Sequence, residues 1–215
     1  MNAVHCWWEG LPNERFWLVV SRFENGKDVL EVPDEDRNDV ASWVSDLVAY
    51  LPPRDVIFHY HPTSHAIVSW AKPRGRAERR EPGWSLTGMH DRSAARPRWV
   101  LKVKDRRPLA PAVTAAEIAS IQWELFPALR ALEDKVGDPL YYPFAMGSPD
   151  ETHTLPGRVF KLPALFVERF PVLAAVASET RAPKAARAAR HRASSWWTAL
   201  DDLLEPRTKA ARRAG

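Results

Sequence analysis

Proline punctuates this chain more often than glycine does, with 19 prolines against 9 glycines in 215 residues. Each proline removes a backbone donor and fixes φ, so regular elements must end at it, start with it or bend around it. Reading between the prolines gives the elements. Residues 16–21 (FWLVVS) are aromatic and β-branched and predict a strand. The polar, acidic stretch 22–39 reads as a loop. Val40, Trp43, Val44, Leu47, Val48 and Leu51 recur at helical spacing until Pro52-Pro53 stops them. Residues 56–60 (VIFHY) and 66–70 (AIVSW) predict a hairpin around Pro62-Thr63-Ser64. A basic loop, 73–83, and a strand, 99–103 (WVLKV), follow.

From Thr114 the pattern turns helical. Thr114 and Glu117 stand at capping-box spacing, ahead of apolar positions at Ile118, Ile121, Trp123, Leu125, Leu129 and Leu132. Pro127 is expected to break or kink this helix. Residues 140–144 (LYYPF) read as an extended aromatic segment. Leu162-Pro163 opens a further helix through Leu165, Phe166 and Phe170 to about residue 177, interrupted at Pro171. Beyond Arg181 the chain is rich in Ala and Arg, with Trp196-Trp197, Leu200, Leu203 and Leu204 marking an amphipathic helix between basic ends. Strand, helix, hairpin and strand together indicate an α+β fold, a small mixed sheet curved into a barrel and flanked by helices.

Charge narrows the function. From residue 72 to residue 107 there are 12 basic residues against four acids, and from 181 to the end nine against three. Such blocks are the footprint of a polyanion partner, because phosphates that bind them release condensed counterions. The single cysteine, Cys6, excludes a disulfide scaffold or a cysteine-based zinc cluster and fits a reducing compartment. No apolar run approaches the roughly 20 residues of a membrane span, and no signal-peptide pattern opens the chain, so a cytoplasmic protein is expected.

Candidate chemistry is sparse. His59, His61 and His65 cluster in HYHPTSH, but without a Cys or HExxH partner they read as hydrogen-bonded histidines, and neither metal nor cofactor is expected. No nucleophile elbow, Walker loop or GxGxxG is present, so the chain does not read as an enzyme. The 10 tryptophans are more informative. Trp43, Tyr60, Trp70 and Trp84 stand near strand ends and loops beside arginine-rich segments, an arrangement suited to stacking on a base. Trp84, set in a polar, turn-forming stretch, is the hardest of them to place in a core. Trp7-Trp8 and Trp196-Trp197 read as covers for the edges of the core.

The order FWLVVS, SWVSDL, RDVIFHYHPTSHAIVSW, PGWSL, PLYYPF and KLPALFVERFP resembles an EVE-type domain of the PUA-like superfamily, which includes the EVE, YTH, ASCH and SRA modules. The likeness is nearest to the reader domains that precede HNH nucleases in modification-dependent restriction enzymes, and no HNH motif follows here. It implies a PUA-like reader over residues 14–171, with its helical extension, and a helical basic tail over 172–215. It further implies a non-catalytic, nucleoid-associated binder of DNA carrying 5-methylcytosine or a relative, which flips the base into an aromatic pocket. The implied pocket comprises Trp43, Ser45, Asp46, His59, Tyr60, Trp70 and Trp84. Within it Asp46 accepts from a cytosine amino group. Phosphates fall to Arg74, Arg76, Arg79, Arg80, Arg92 and Arg96. A YTH- or ASCH-like RNA or modified-adenine binder is the alternative, and a nuclease or nuclease-recruiting subunit a third.

Overall fold

The strand β3 (Val56–His61) carries apolar or aromatic residues at almost every position, and all of Val56 to Tyr60 are buried. A strand buried on both faces also needs a partner along each edge, because its backbone groups have no water to bond. β1 (Phe16–Val20) lies along one edge in parallel, Phe16 opposite Val56 and Val20 opposite Tyr60. β4 (Ala66–Pro73) lies along the other, antiparallel, as the expected hairpin, with His65 at φ 47° in its turn. The computed structural model describes residues 4–20, 28–33, 46–81, 97–145, 154 and 158–181.

The remaining strands extend this pair of edges. β7 (Val159–Leu162) runs antiparallel to β1, and β6 (Arg98–Thr114) runs antiparallel to β4. β2 (Val29–Pro33) and the short β5 (Glu78–Arg80) both pair with the first half of β6. The spatial order is β2-β6-β4-β3-β1-β7, with β5 also on β6, and the sheet curls into a half-barrel. The curl has a local cause in β6. Its register against β4 shifts between Trp70 and Lys72, where β6 carries Asp105 at φ 55°, and again between Ile67 and Ser69, where β6 runs from Pro108 to Val113. Extra residues on one strand of a pair bend it and increase its twist. Asp tolerates the left-handed conformation better than most residues because its short polar side chain bonds locally.

Several expectations are corrected. The stretch 22–39 is not all loop, since β2 lies within it: Leu30 and Val32 are buried while Glu31 is exposed, a two-residue alternation too short to stand out among acids. Residues 73–83 are not all loop either. β5 is exposed throughout and rests on backbone pairing to β6 rather than on any apolar face. The strand expected at 99–103 continues to Thr114, its prolines falling where the register against β4 shifts, which is where strands tolerate them. Of the helix expected over 40–51, the described part is a 3-10 turn, Leu47–Tyr50, that ends before Pro52.

Thr114 begins α1 (Ala115–Val136) as its spacing predicts. The Thr114 hydroxyl accepts from the Glu117 backbone N–H at 3.2 Å, and a Glu117 carboxylate oxygen accepts from the Thr114 N–H at 2.7 Å. The bond from the Thr114 N–H, with a second from the Thr114 hydroxyl at 2.7 Å, holds the Glu117 carboxyl below its usual range. Gly137 closes the helix in the left-handed conformation, φ 73°. Pro127 does not break α1, because Ile118, Leu125 and Leu129 bury its inner face on both sides of the proline. α2 (Ala164–Arg169) and α3 (Pro171–Arg181) meet at Phe170-Pro171, where the interruption was expected. The core joins Phe16 and Phe58 of the sheet to a second cluster in which Tyr60, Tyr142, Phe144, Phe166 and Phe170 pack ring on ring. The chain divides into two compact units, Met1–Ala174 and Ala175–Gly215.

Loss of the capping box gives a direct test of this account of α1. Thr114→Ala is expected to lower the free energy of unfolding by about 1 kcal/mol, read from urea melts. Thr114→Ser, which keeps the capping hydroxyl, should cost little, and a loss equal to that of Thr114→Ala would mean that the cap bond is not what stabilises the helix start.

Candidate nucleic-acid interface

Along β6, alternate residues share a face. Leu101 and Val103 turn inward and are buried, so Lys102 and Lys104 turn outward and are exposed. The neighbouring strands add charge of the same sign. Arg80 stands opposite Arg98 across the β5–β6 pair, Lys72 opposite Lys104 and Trp70 opposite Arg107 across the β4–β6 pair. The Arg74 backbone N–H donates to the Lys102 carbonyl at 2.8 Å, which carries the exposed stretch Arg74 to Arg80 past the same strand. Two acids of the described residues stand beside it. Arg79 reaches Glu81 at 4.0 Å and Arg98 reaches Glu31 at 3.8 Å, both near the surface, where such pairs are worth about 0–1 kcal/mol. Like charges directly opposite on paired strands destabilise a sheet. Of these cations Lys72 is buried against the Trp70 ring, whereas Arg80, Lys102 and Lys104 are exposed.

Four of the six arginines assigned to phosphate, Arg74, Arg76, Arg79 and Arg80, thus lie together, all exposed. Trp70 is buried beneath this face, with the Arg107 guanidinium 5.5 Å and the Lys72 ammonium 5.9 Å from its ring. Tyr60 shares Trp70's side of the sheet but packs in the core, its ring 6.0 Å from Phe144 and its hydroxyl pushed up by burial. His59, the preceding residue on the strand, points to the opposite side, opposite Val19 and Ser69. Burial first, and then the Arg106 charge, lower its imidazole to about 3, so it is neutral. Asp46 is exposed at the start of the 3-10 turn. Trp43, Ser45, Trp84, Arg92 and Arg96 lie outside the described residues. His61 accepts from the Ser64 backbone N–H at 3.2 Å, and no metal-binding group of His, Cys, Asp and Glu is present among the described residues.

A second polar cluster gives no sign of itself in the sequence. Lys161, on β7 opposite Trp17, has no exposed surface, and its ammonium donates to the Phe16 carbonyl at 2.8 Å. Three indoles surround that charge, with ring centres 5.0 Å (Trp17), 5.7 Å (Trp7) and 5.8 Å (Trp8) away. The Trp17 indole N–H donates to the Asp55 carboxylate at 2.7 Å, and the Trp7 indole N–H to the Leu140 carbonyl at 3.2 Å. Glu14 accepts from the Ala164 backbone N–H at 2.9 Å. Burial lowers Lys161 to about 8 against the pull of Glu14 and Asp55, and burial likewise raises both carboxyls. Trp7 and Trp8 are accordingly more than edge covers: they form a wall of a charged interior site that joins the N-terminal segment to β1 and β7. Closed to solvent, the cluster acts on stability.

No family model matches the chain, and no curated protein matches it. Among solved structures it is similar to the NMR structure of Rpa0253 from Rhodopseudomonas palustris, at 16% identity over 75% of this chain and 94% of that one, with a TM-score of 0.41. No helix among the described residues is long and apolar enough to cross a membrane.

The buried lysine sets a sign for stability against pH. Its folded value, about 8, lies below its ordinary 10.5, so the folded state disfavours the proton; the penalty is complete below pH 8 and disappears as pH rises toward 10.5. Over that window Lys161 should add roughly 3 kcal/mol of stability, at about 1.36 kcal/mol per pH unit. Urea melts of the wild type and Lys161→Met between pH 7 and 10 are expected to diverge, the wild type gaining on the variant. Parallel profiles would show that the lysine is not desolvated as described.

Proposed function

We propose that this chain is a non-catalytic nucleic-acid-binding protein whose outer β4–β5–β6 face holds the phosphate backbone. The observation that carries the reading is the group of exposed cations Arg74, Arg76, Arg79 and Arg80 running alongside exposed Lys102 and Lys104 of β6. Phosphate contacts position a protein on its ligand without reading sequence. For the readout we propose the EVE-type, PUA-like arrangement that the sequence resembles. A modified cytosine in DNA is flipped out of the stack into a pocket walled by Trp43 and Trp84, with Asp46 accepting from the base. The basic tail beyond Arg181 adds affinity indifferent to the base. In this reading the protein works in the cytoplasm at the nucleoid, alone or beside a nuclease.

Fluorescence anisotropy with duplexes carrying cytosine, 5-methylcytosine or 5-hydroxymethylcytosine, and with matching RNA and N6-methyladenine strands, tests both levels. With about five phosphates neutralised, log affinity should fall with log salt at a slope near −4.5 on duplex DNA. The double variant Lys102→Glu/Lys104→Glu should flatten that slope and weaken every ligand in similar proportion. Trp84→Ala should instead remove the preference for the modified base, a change of roughly five- to over a hundred-fold for a lost stacking contact. Salt-insensitive binding, or no binding to any of the panel, would sink the assignment of the face. Tighter binding to RNA than to any DNA would move the reading to an RNA binder.

A further inference from the structure

Residues 4–8 reach the sheet without joining it. The His5 backbone N–H donates to the Tyr141 hydroxyl at 2.9 Å, and the His5 imidazole stands 3.1 Å from the Asp138 carboxylate. The Trp7 indole N–H donates to the Leu140 carbonyl. These attachments fall on residues 138–141, in the connection between α1 and β7, while the buried rings of Trp7 and Trp8 cover the Lys161 ammonium. Residues 9–13 are exposed, and their backbone bonds are local, with Gly10 in the left-handed conformation at φ 79°. The segment is thus a short arm fastened at one place and joined to β1 through an exposed turn. The fastening point is strained. Tyr141 has φ 56°, a conformation that a bulky residue rarely adopts. Its hydroxyl takes the His5 N–H, its ring stands edge-on to Trp8 at 6.1 Å, and its carbonyl accepts from the Lys161 backbone N–H at 3.2 Å. Such residues persist only where their surroundings over-determine them, and they gather at segments that switch.

We propose that residues 4–8 form a strap that opens and closes over Lys161 as a unit, hinged at Gly10, and that the charge on Lys161 sets how often it opens. Shut behind the strap, Lys161 is held at about 8 by burial, and in water it returns toward 10.5. Opening therefore relieves the buried charge in full below pH 8, and each pH unit above 8 makes the strap up to about tenfold harder to open. The other titratable groups around the ammonium act in the opposite direction. Glu14 beside β1 and Asp55 beside β3 face it, with Glu168 of α2 acting on Glu14 and Arg15 on Asp55. Burial raises both of those carboxyls, the Cys6 thiol of the strap and the Tyr141 hydroxyl, so loss of any of these protons favours opening as pH rises. Loss of a proton from His5 would weaken its pair with Asp138, with the same result. A strap that closes with rising pH is therefore the mark of Lys161. The device does not depend on the nucleic-acid reading.

Chymotrypsin cutting after Trp7 or Trp8 reads the open fraction, when followed by mass spectrometry and divided by the rate for a synthetic peptide of residues 4–15 at the same pH. In the full chain this cut is expected ahead of any cut after the core residues Phe58, Tyr60 or Phe166. Between pH 7.5 and 9 it should slow by about three- to eightfold. Lys161→Met should abolish the slowing. Tyr141→Phe removes the acceptor of the His5 N–H but keeps the ring, and should speed the cut about two- to fivefold at every pH while preserving the slowing. This variant tests the fastening even if Lys161→Met does not fold. Core cuts as fast as strap cuts would overturn the proposal, as would a Tyr141→Phe strap cut no faster than the wild type. A wild-type rate that does not fall with pH, or a fall that persists in Lys161→Met, would overturn the role of the lysine.

Discussion

A strand with apolar side chains on both faces fixes more than its own position. β3 has to be covered above and below and bonded along both edges, and the rest of the sheet answers those four demands. One face takes the aromatic cluster reaching from Phe58 and Tyr60 toward Phe144 and Phe166. The other carries Ile57 and His59, level with Trp17 and Val19 of β1. The parallel pairing of β1 with β3 obliges the chain to leave the sheet between them, and β2 and the 3-10 turn lie in that crossover. The antiparallel pairing with β4 leads onward to β6, whose irregular register lets a single strand serve β4 with one half and both β2 and β5 with the other.

That division of β6 separates two jobs. The half beside β4 finishes on the capping box that starts α1, and so belongs to the frame. The half beside β5 turns Lys102 outward between buried Leu101 and Val103, and sets Arg98 opposite Arg80 of β5 and 3.8 Å from Glu31 of β2. The interior holds a charge of its own. Lys161 is held between Glu14 and Asp55 and enclosed by indoles, so its desolvation is partly offset by its own neighbours.

Local signals were legible and non-local ones were not. Thr114 and Glu117 announce the start of α1 because a capping box is complete within four residues. VIFHY and AIVSW announce their hairpin because both strands and the turn are contiguous. The clustering of Arg74, Arg76, Arg79 and Arg80 could be read because they are neighbours in the chain. β5 has no apolar residue and exists only through backbone bonds to β6, a partner some twenty residues away in the sequence, so no periodicity betrays it. Pro127 was misleading for a related reason: burial of Leu125 and Leu129 outweighs the missing hydrogen bond, and burial is a tertiary fact. Lys161 gives no sequence signal of its role, because Trp17 opposite it and Trp7 and Trp8 around it come from distant parts of the chain.

Those three indoles have a spectroscopic consequence. Trp8 stands edge-to-face against Trp17 at 5.1 Å and 77°, and against Trp7 at 5.8 Å and 81°. Indoles this close, crossed and rigidly held couple their electronic transitions, so the trio gives the protein an optical-activity signature in the aromatic absorption region. The ammonium at their centre acts on the same transitions as a fixed electric field. Release of the Lys161 proton would switch off that field while leaving the rings in place. The interior charge thus carries its own chromophore, which reports its state without any added label.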